Sequence, residues 1–384
     1  MHIVWINEVG DFTGGCERYM LDCVKLLREK YQVESTLLYA VEGKNNIKFL
    51  KLFDSAYPMV DLPRQIMEIA PDLIYVQRLD GKKPVQELIK TKVPVLRFFH
   101  DHKLFCLREH KYTTLQQETC TKPIGKCCFP CLGFVGKQSG FPYVKMNSLQ
   151  KMRAEQKANM RLAKIVVGSE YMRDHLLAHK FPKDKLMVNH LFSNKEPEAN
   201  KKNEKNMFLF VGQIVRGKGI DILLKAWAQV ETVLELVICG SGAQEEEFKL
   251  LAHELGIGDK VKWTGRITQE ELADYYRKAI CLLMPSRSPE TFGLTGLEAM
   301  SYGTAVIATD VGGISTWLDD DKNGILVPSN KVEELAEAIK KMLNNPELAE
   351  KYGKQGLQDY TEKFTPDLHI DKLYKLFCDE TGRQ

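Results

Sequence analysis

The run PSRSPETFGLTGLEAMSYGTAVIATDVGG, residues 285–313, decides how this chain is read. It leaves an apolar stretch, Cys281 to Met284, that reads as a strand, crosses a loop from Pro285 to Gly293, and enters a helix predicted from Leu294 to Ser301. A second apolar stretch, Ala305 to Ala308, follows at once. Strand, loop, helix and strand at this spacing make a parallel crossover unit, whose ligands lie beyond the carboxyl ends of the strands. The loop is therefore where a ligand is expected. It carries Glu290, and the helix carries Glu298. With the first in the loop, the two carboxylates cannot share a helix face, but they can grip opposite ends of one ligand lying across the helix start. Carboxylates accept from vicinal hydroxyls, which points to a sugar. The amides of Thr291, Phe292, Gly293 and Leu294 would face a phosphate between them. Taken singly, Glu290 reads equally well as a helix-entry charge and Glu298 as part of a solvated face.

A second loop removes much of that ambiguity. Phe210 to Gly219, FVGQIVRGKG, also comes off a strand and runs into a helix. Gly212, Gly217 and Gly219 let backbone amides approach an anion, and Arg216 and Lys218 can neutralise a diphosphate. The spacing is neither that of a P-loop nor GxGxxG. Around these loops strands are predicted at Met207 to Val211, Leu234 to Cys239 and Val261 to Trp263. Helices are predicted at Gly219 to Gln229, Gln244 to Leu255 and Glu270 to Lys278. The first half alternates in the same way, with a strand at His2 to Ile6, a helix from about Cys16 to Arg28, and apolar runs at Leu73 to Val76 and Val93 to Phe99. Both halves read as α/β, doubly wound parallel sheets. Ser193 to Asn206, with seven charges and one weakly apolar residue, reads as the linker. The expected division is 1–192, linker 193–206, 207–362, and a terminal helix 363–384 that packs back on the first domain.

Composition narrows the classes. With 384 residues, 44% hydrophobic and 27% charged, the chain has the make-up of a folded two-domain protein. A net charge of +3 gives no bulk argument for nucleic acid. No membrane span and no signal peptide are read, so a cytoplasmic chain is expected.

Taken together, residues 285–313 resemble the signature of glycosyltransferase family 4, with its Glu-x7-Glu pair at Glu290 and Glu298, and the GQIVRGKG loop is similar to that family's phosphate loop. The resemblance implies a GT-B fold, two Rossmann-like domains facing a cleft, and transfer of a sugar from a UDP- or GDP-sugar with retention. It implies that Arg216 and Lys218 bind the diphosphate, that Glu298 holds the ribose, and that Glu290 contacts the donor sugar. Gly240 and Gly242, with Arg266 and Ile267, would line the base pocket. Gly14 and Gly15 would open the first helix toward the donor phosphate, and His100 would contact the donor sugar or leaving group. No catalytic metal is implied. The acceptor, a glycan, a lipid-linked molecule or a small molecule, stays open, and an envelope or polysaccharide pathway is expected. The rival readings are a phosphorylase or epimerase of the same fold and a catalytically idle sugar-nucleotide-binding scaffold. Two positions depart from the family pattern: Thr295-Gly296 where larger residues are common, and Ser315-Thr316-Trp317 where a Glu often stands.

Two features lie outside the resemblance to the signature. Five of the ten cysteines fall between Cys106 and Cys131. Cys128-x-x-Cys131 has the gap of a two-thiolate bite, and Cys106 and Cys120 would complete a structural zinc site, with Cys127 as a substitute. An iron–sulfur cluster, disulfides and free thiols are the alternatives. Residues 137–164 carry Lys137, Lys145, Lys151, Arg153, Lys157, Arg161 and Lys164 against Glu155 alone. This reads as a basic amphipathic helix for an anionic membrane surface at the inner face or for an anionic acceptor, or as a solvated helix face. Asp319-Asp320-Asp321 is read as a solvated loop.

Overall fold

Two parallel sheets organise the chain. The computed structural model describes residues 1–40, 45–137, 144–193 and 205–383, which divide into two units. The first comprises 1–109, 122–190 and the chain from 366 onward; the second comprises 110–121 and 191–365. Most of the expected linker, residues 194–204, lies outside the described residues.

The first unit holds strands β1 (His2–Asn7), β2 (Glu34–Ala40), β3 (Ser55–Met59), β4 (Leu73–Val76), β5 (Val95–Phe99), β6 (Val135–Lys137), β7 (Val144–Met146), β8 (Lys164–Val167) and β9 (Leu186–Val188). All but β6 and β7 form one sheet in the order β3-β2-β1-β4-β5-β8-β9, parallel throughout. β6 and β7 pair antiparallel as a separate ribbon. Strands covered on both faces should be continuous apolar runs rather than alternating ones. β1 and β4 obey: Ile3, Val4, Trp5 and Ile6, then Leu73, Ile74, Tyr75 and Val76, are all buried. The final helix, Pro366–Thr381, packs in this unit. Tyr374 stacks on Tyr31 with centroids 3.8 Å apart, Phe377 meets Tyr75, and His369 shares a 3.0 Å hydrogen bond with the Tyr19 hydroxyl.

The second unit holds β10 (Met207–Val211), β11 (Glu235–Cys239), β12 (Val261–Gly265), β13 (Ala279–Met284), β14 (Ala305–Thr309) and β15 (Ile325–Val327), in the order β12-β11-β10-β13-β14-β15, again all parallel. Its core gathers Phe208, Phe210, Trp227, Leu236, Ile238, Leu283, Ile307 and Ile339 between sheet and helices. The strands and helices predicted here match to within a residue or two, as Leu294–Ser301 and Gln269–Lys278 illustrate.

Residues 110–121, placed by the sequence reading inside a first domain of 1–192, pack with the second unit, as do 191–193, where the Tyr360 hydroxyl donates to the Ser193 carbonyl at 2.7 Å. Local apolar pattern cannot reveal which unit a short polar arm will join.

Candidate functional site

Each sheet has a switch point, at β1/β4 in the first unit and at β10/β13 in the second, where successive connections leave in opposite directions and open a crevice. In the second unit the loop after β10 and the loop after β13 therefore converge. Their approach is close: Gly219 sits at φ 72°, and a Cβ there would stand 1.9 Å from the Pro285 carbonyl oxygen, so this position admits only glycine. The Arg287 and Ser288 amides both donate to the Gly217 carbonyl at 3.0 Å, stitching one loop to the other.

The stitching brings Lys218 and Glu290 together. Lys218 Nζ donates to Glu290 Oε1 at 2.7 Å, and Ser286 Oγ donates to the same oxygen at 2.6 Å. Glu290 is itself anchored through its backbone, its carbonyl accepting from the Gly313 amide at 2.7 Å. Arg216 points elsewhere: its guanidinium pairs with Glu247, and its amide donates to Gln244 Oε1. Both groups of that pair are well exposed, so the pair contributes little and a diphosphate can compete for the cation. Glu298 accepts from the hydroxyl of buried Tyr276 at 3.0 Å; burial, then the Glu298 charge, holds that phenol well above its ordinary range. Gly240 and Gly242 lie beside Arg266, whose Nε donates to Ser241 Oγ at 2.9 Å, and Ile267 is half-buried next to it. Thr291, Gly293 and Leu294 lead into the helix Leu294–Ser301, whereas the Phe292 ring is buried against Phe364 and can offer a ligand only its backbone.

Three features were not legible in the sequence. Arg287, nearly fully buried, pairs both guanidinium nitrogens with Asp221 at 2.9 Å, donates to the Arg216 carbonyl, and reaches Asn330 Oδ1 at 3.0 Å. It holds the cation-bearing loop from behind, and no spacing rule links residues 66 apart. Second, the two departures from the family pattern are one packing event. A Cβ at Gly296 would stand 2.1 Å from the Trp317 ring, whose Nε1 donates to the Phe292 carbonyl at 2.6 Å. Third, the arm 110–121 straps the loop after β13. It folds back on itself at Tyr112 and Thr119; the Thr119 hydroxyl donates to the Arg287 carbonyl at 2.8 Å, Ser288 Oγ to the His110 carbonyl at 2.7 Å, and Asn330 Nδ2 to the Gln117 carbonyl at 2.9 Å.

Gly14, Gly15 and His100 belong to the first unit. Gly14 precedes the helix Gly15–Tyr31 after β1. His100 ends β5, stacks on Phe98 at 4.2 Å and hydrogen bonds Gln77 Oε1 at 2.7 Å. Burial above all, with Arg78 and Arg97 nearby, pushes its imidazole down to about 3, so at neutral pH it is an uncharged hydrogen-bonding group. With Glu8, Gln77 and Arg78 it lines a cavity of about 270 Å³.

Cys106, Cys127, Cys128 and Cys131 lie in the first unit and Cys120 in the second. Among the described residues no three His, Cys, Asp or Glu side chains gather to hold an ion. Cys128 is pushed up to about 11 by burial, with Cys127 and Cys106 adding to the shift. Asp319-Asp320-Asp321 is structural in part: Asp320 Oδ1 accepts from the Leu326 amide, and Asp321 pairs with Lys341 and Tyr352.

Residues 192–359 match the family model of glycosyl transferases group 1. An uncharacterized glycosyltransferase of Methanocaldococcus jannaschii is 32% identical over 219 residues, 56% of this chain and 60% of the relative. A D-inositol 3-phosphate glycosyltransferase of Streptomyces bingchenggensis is 38% identical over 168 residues, 41% of this chain and 36% of that one. The chain thus spans less than two thirds of the length of these relatives. Among solved structures, Anabaena Alr3699/HepE in complex with UDP superposes with a TM-score of 0.77 at 15% identity, covering 99% of this chain and all of that one. Sucrose-phosphate synthase from Thermosynechococcus elongatus does so with 0.71 at 19% identity, covering 98% of each. The fold is GT-B.

Proposed function

Because residues 192–359 match glycosyl transferases group 1, we propose that the chain transfers a sugar from a nucleoside diphosphate sugar to an acceptor hydroxyl, with retention at the anomeric carbon. The observation that carries this reading is the Lys218–Glu290 pair at the β10/β13 switch point, a diphosphate-binding cation and a hydroxyl-accepting carboxylate one hydrogen bond apart. Lys218 and Arg216 bind the diphosphate and stabilise the charge that develops on it. Glu290 orients the donor sugar, and Glu298 holds the ribose. The anomeric carbon–oxygen bond breaks with its electron pair going to the diphosphate oxygen. The acceptor oxygen bonds to that carbon on the same face, and its proton passes to the departing phosphate oxygen. Preorganised charge of this kind is commonly the largest contribution to a lowered barrier. No protein nucleophile is required. UDP is the first nucleotide to try, because the Anabaena relative of the fold was solved with UDP.

Lys218→Ala and Glu290→Ala should each lower turnover by at least ~10²-fold, as for loss of a transition-state contact, measured as hydrolysis or transfer over a panel of UDP- and GDP-sugars. Near-parental rates in both variants would break the assignment. The rival scaffold reading predicts a thermal shift with nucleotide but no turnover with any sugar of the panel. A chain that shifts with neither UDP nor GDP would refute nucleotide binding itself.

A further inference from the structure

We infer that the first unit carries a docking surface for an anionic lipid bilayer, built from the helix Leu149–Asn159 and the ribbon β6–β7 that leads into it. The helix starts cleanly, with Ser148 Oγ accepting from the Lys151 amide, and its residues sort into two sides. One side faces the protein. Gln156 Nε2 donates to the Leu104 carbonyl at 2.8 Å, Asn159 Oδ1 accepts from Arg97 at 2.7 Å, and Met152 and Glu155 line the cavity beside His100. The other side carries Arg153 and Lys157, continued by Arg161 at the same four-residue step, and all three are exposed. Joined by Lys82, they line a groove of about 730 Å³ that contains no carboxylate.

In several other helices exposed cations pair with acids one turn away, as in Lys25–Glu29, Arg64–Glu68, Lys249–Glu245 and Lys354–Glu350. Lys82, Lys145, Lys151, Arg153, Lys157 and Arg161 form no ion pair with any described residue. Glu155, the helix's one acid, is turned into the cavity, where burial raises its carboxyl above the ordinary range. Like charges a turn apart disfavour a helix, so the stripe is stabilised when anions come from outside.

An independent observation lies immediately upstream. Phe129, Leu132, Val135, Val144 and Met146 are exposed, from 38% for Val135 to 73% for Met146. Val135 stands directly opposite Met146 in the ribbon, and Val144 is two residues from Met146, so these three share one face. Scattered exposed apolar residues are ordinary, whereas a run of them leading straight into an unpaired cationic stripe marks an interaction surface. A protein partner would be expected to meet separate cations with fixed carboxylates. Long, independent cations beside apolar side chains suit a fluid layer of phosphates over hydrocarbon. Because Met146, Asn147, Ser148 and Lys151 also line the cavity beside His100, docking would present that cavity to molecules anchored in the bilayer. Resting on the transferase reading, this names the acceptor as the hydroxylated headgroup of a lipid.

The test is flotation of the full chain with vesicles of phosphatidylcholine alone and of phosphatidylcholine mixed with phosphatidylglycerol. The chain should float only with the mixed vesicles, and less as salt rises. The variant Arg153→Glu/Lys157→Glu/Arg161→Glu should lose binding by roughly fivefold or more per cation. Phe129→Ser/Val144→Ser should weaken it without changing the salt dependence. All altered side chains are exposed, so both variants should keep the parental melting curve and nucleotide-induced shift, which separates this inference from the transferase reading. Equal recovery from both vesicles, recovery from neither, or undiminished flotation of the charge variant would overturn it. So would capture by soluble polyphosphate without vesicle binding.

Discussion

At the residue scale, two histidines turn burial into pH dependence. Burial pushes His100 down to about 3 and His369 down to about 4, the latter while its Nδ1 is bonded to the His190 carbonyl. A histidine whose folded pKa lies below its ordinary value leaves the native state with fewer bound protons than the unfolded chain, so stability rises with pH across that interval. The contribution is therefore complete above the unfolded value of 6.5 and is lost as pH falls toward 4 and then 3. Urea midpoints should decline on acidification below about pH 6.5, and His369→Gln should flatten the decline. An unchanged slope would show that His369 is not the linked group. Gly296 supports a second prediction. Gly296→Ala should destabilise by about 1–3 kcal/mol through overpacking on Trp317. Combined with Trp317→Ala it should cost less than the two single changes summed, in a thermal-melt double-mutant cycle.

Elements show how far pattern carries. The strand–loop–helix unit at 279–301 is legible because its strand is a continuous apolar run and its loop is punctuated by Pro and Gly. β2 was not, because Ser35 and Thr36 interrupt its apolar run although both are buried. Ser35 Oγ accepts from Trp5 Nε1 at 3.1 Å, its amide donates to Asp54 at 2.7 Å, and Thr36 hydrogen bonds Ser55 at 2.8 Å. Hydrogen bonds to partners far along the chain make these polar residues compatible with a core, and a local window cannot see them. The arm 110–121 is missed for the same reason. Its contacts to residues 287, 288 and 330 are each worth roughly 1 kcal/mol. Thr119→Ala/Asn330→Ala should therefore raise the donor KM several-fold, with kcat changed less, in steady-state kinetics. An unaltered KM would make the arm an ornament to the loop rather than its support.

On the scale of the whole molecule, the last helix belongs to the first unit although residues 191–365 separate it from the rest of that unit in sequence. Its stack on Tyr31, the Phe377–Tyr75 contact and the pairs from Lys30 to Asp367 and Asp371 bind the end of the chain to its beginning. Truncation after Thr365 should lower the melting temperature of the first unit and expose Tyr75, Phe98 and their neighbours to a hydrophobic dye. A truncated chain with the parental melting curve would contradict this.

The sequence by itself determined the α/β class, the second sheet's strands, and the residue types of the loops after β10 and β13, because apolar runs, glycine and charge act through neighbours a few positions away. It also singled out the cysteine cluster and the basic segment, without saying what either does. Only the tertiary structure decided that Lys218 meets Glu290 while Arg216 meets Glu247, that Arg287 and Asp221 hold the loop from behind, and that the arm 110–121 joins the second unit. Those outcomes depend on which loops converge at a switch point. That is a property of strand order, and strand order is set by the packing of the whole sheet rather than by any segment of it.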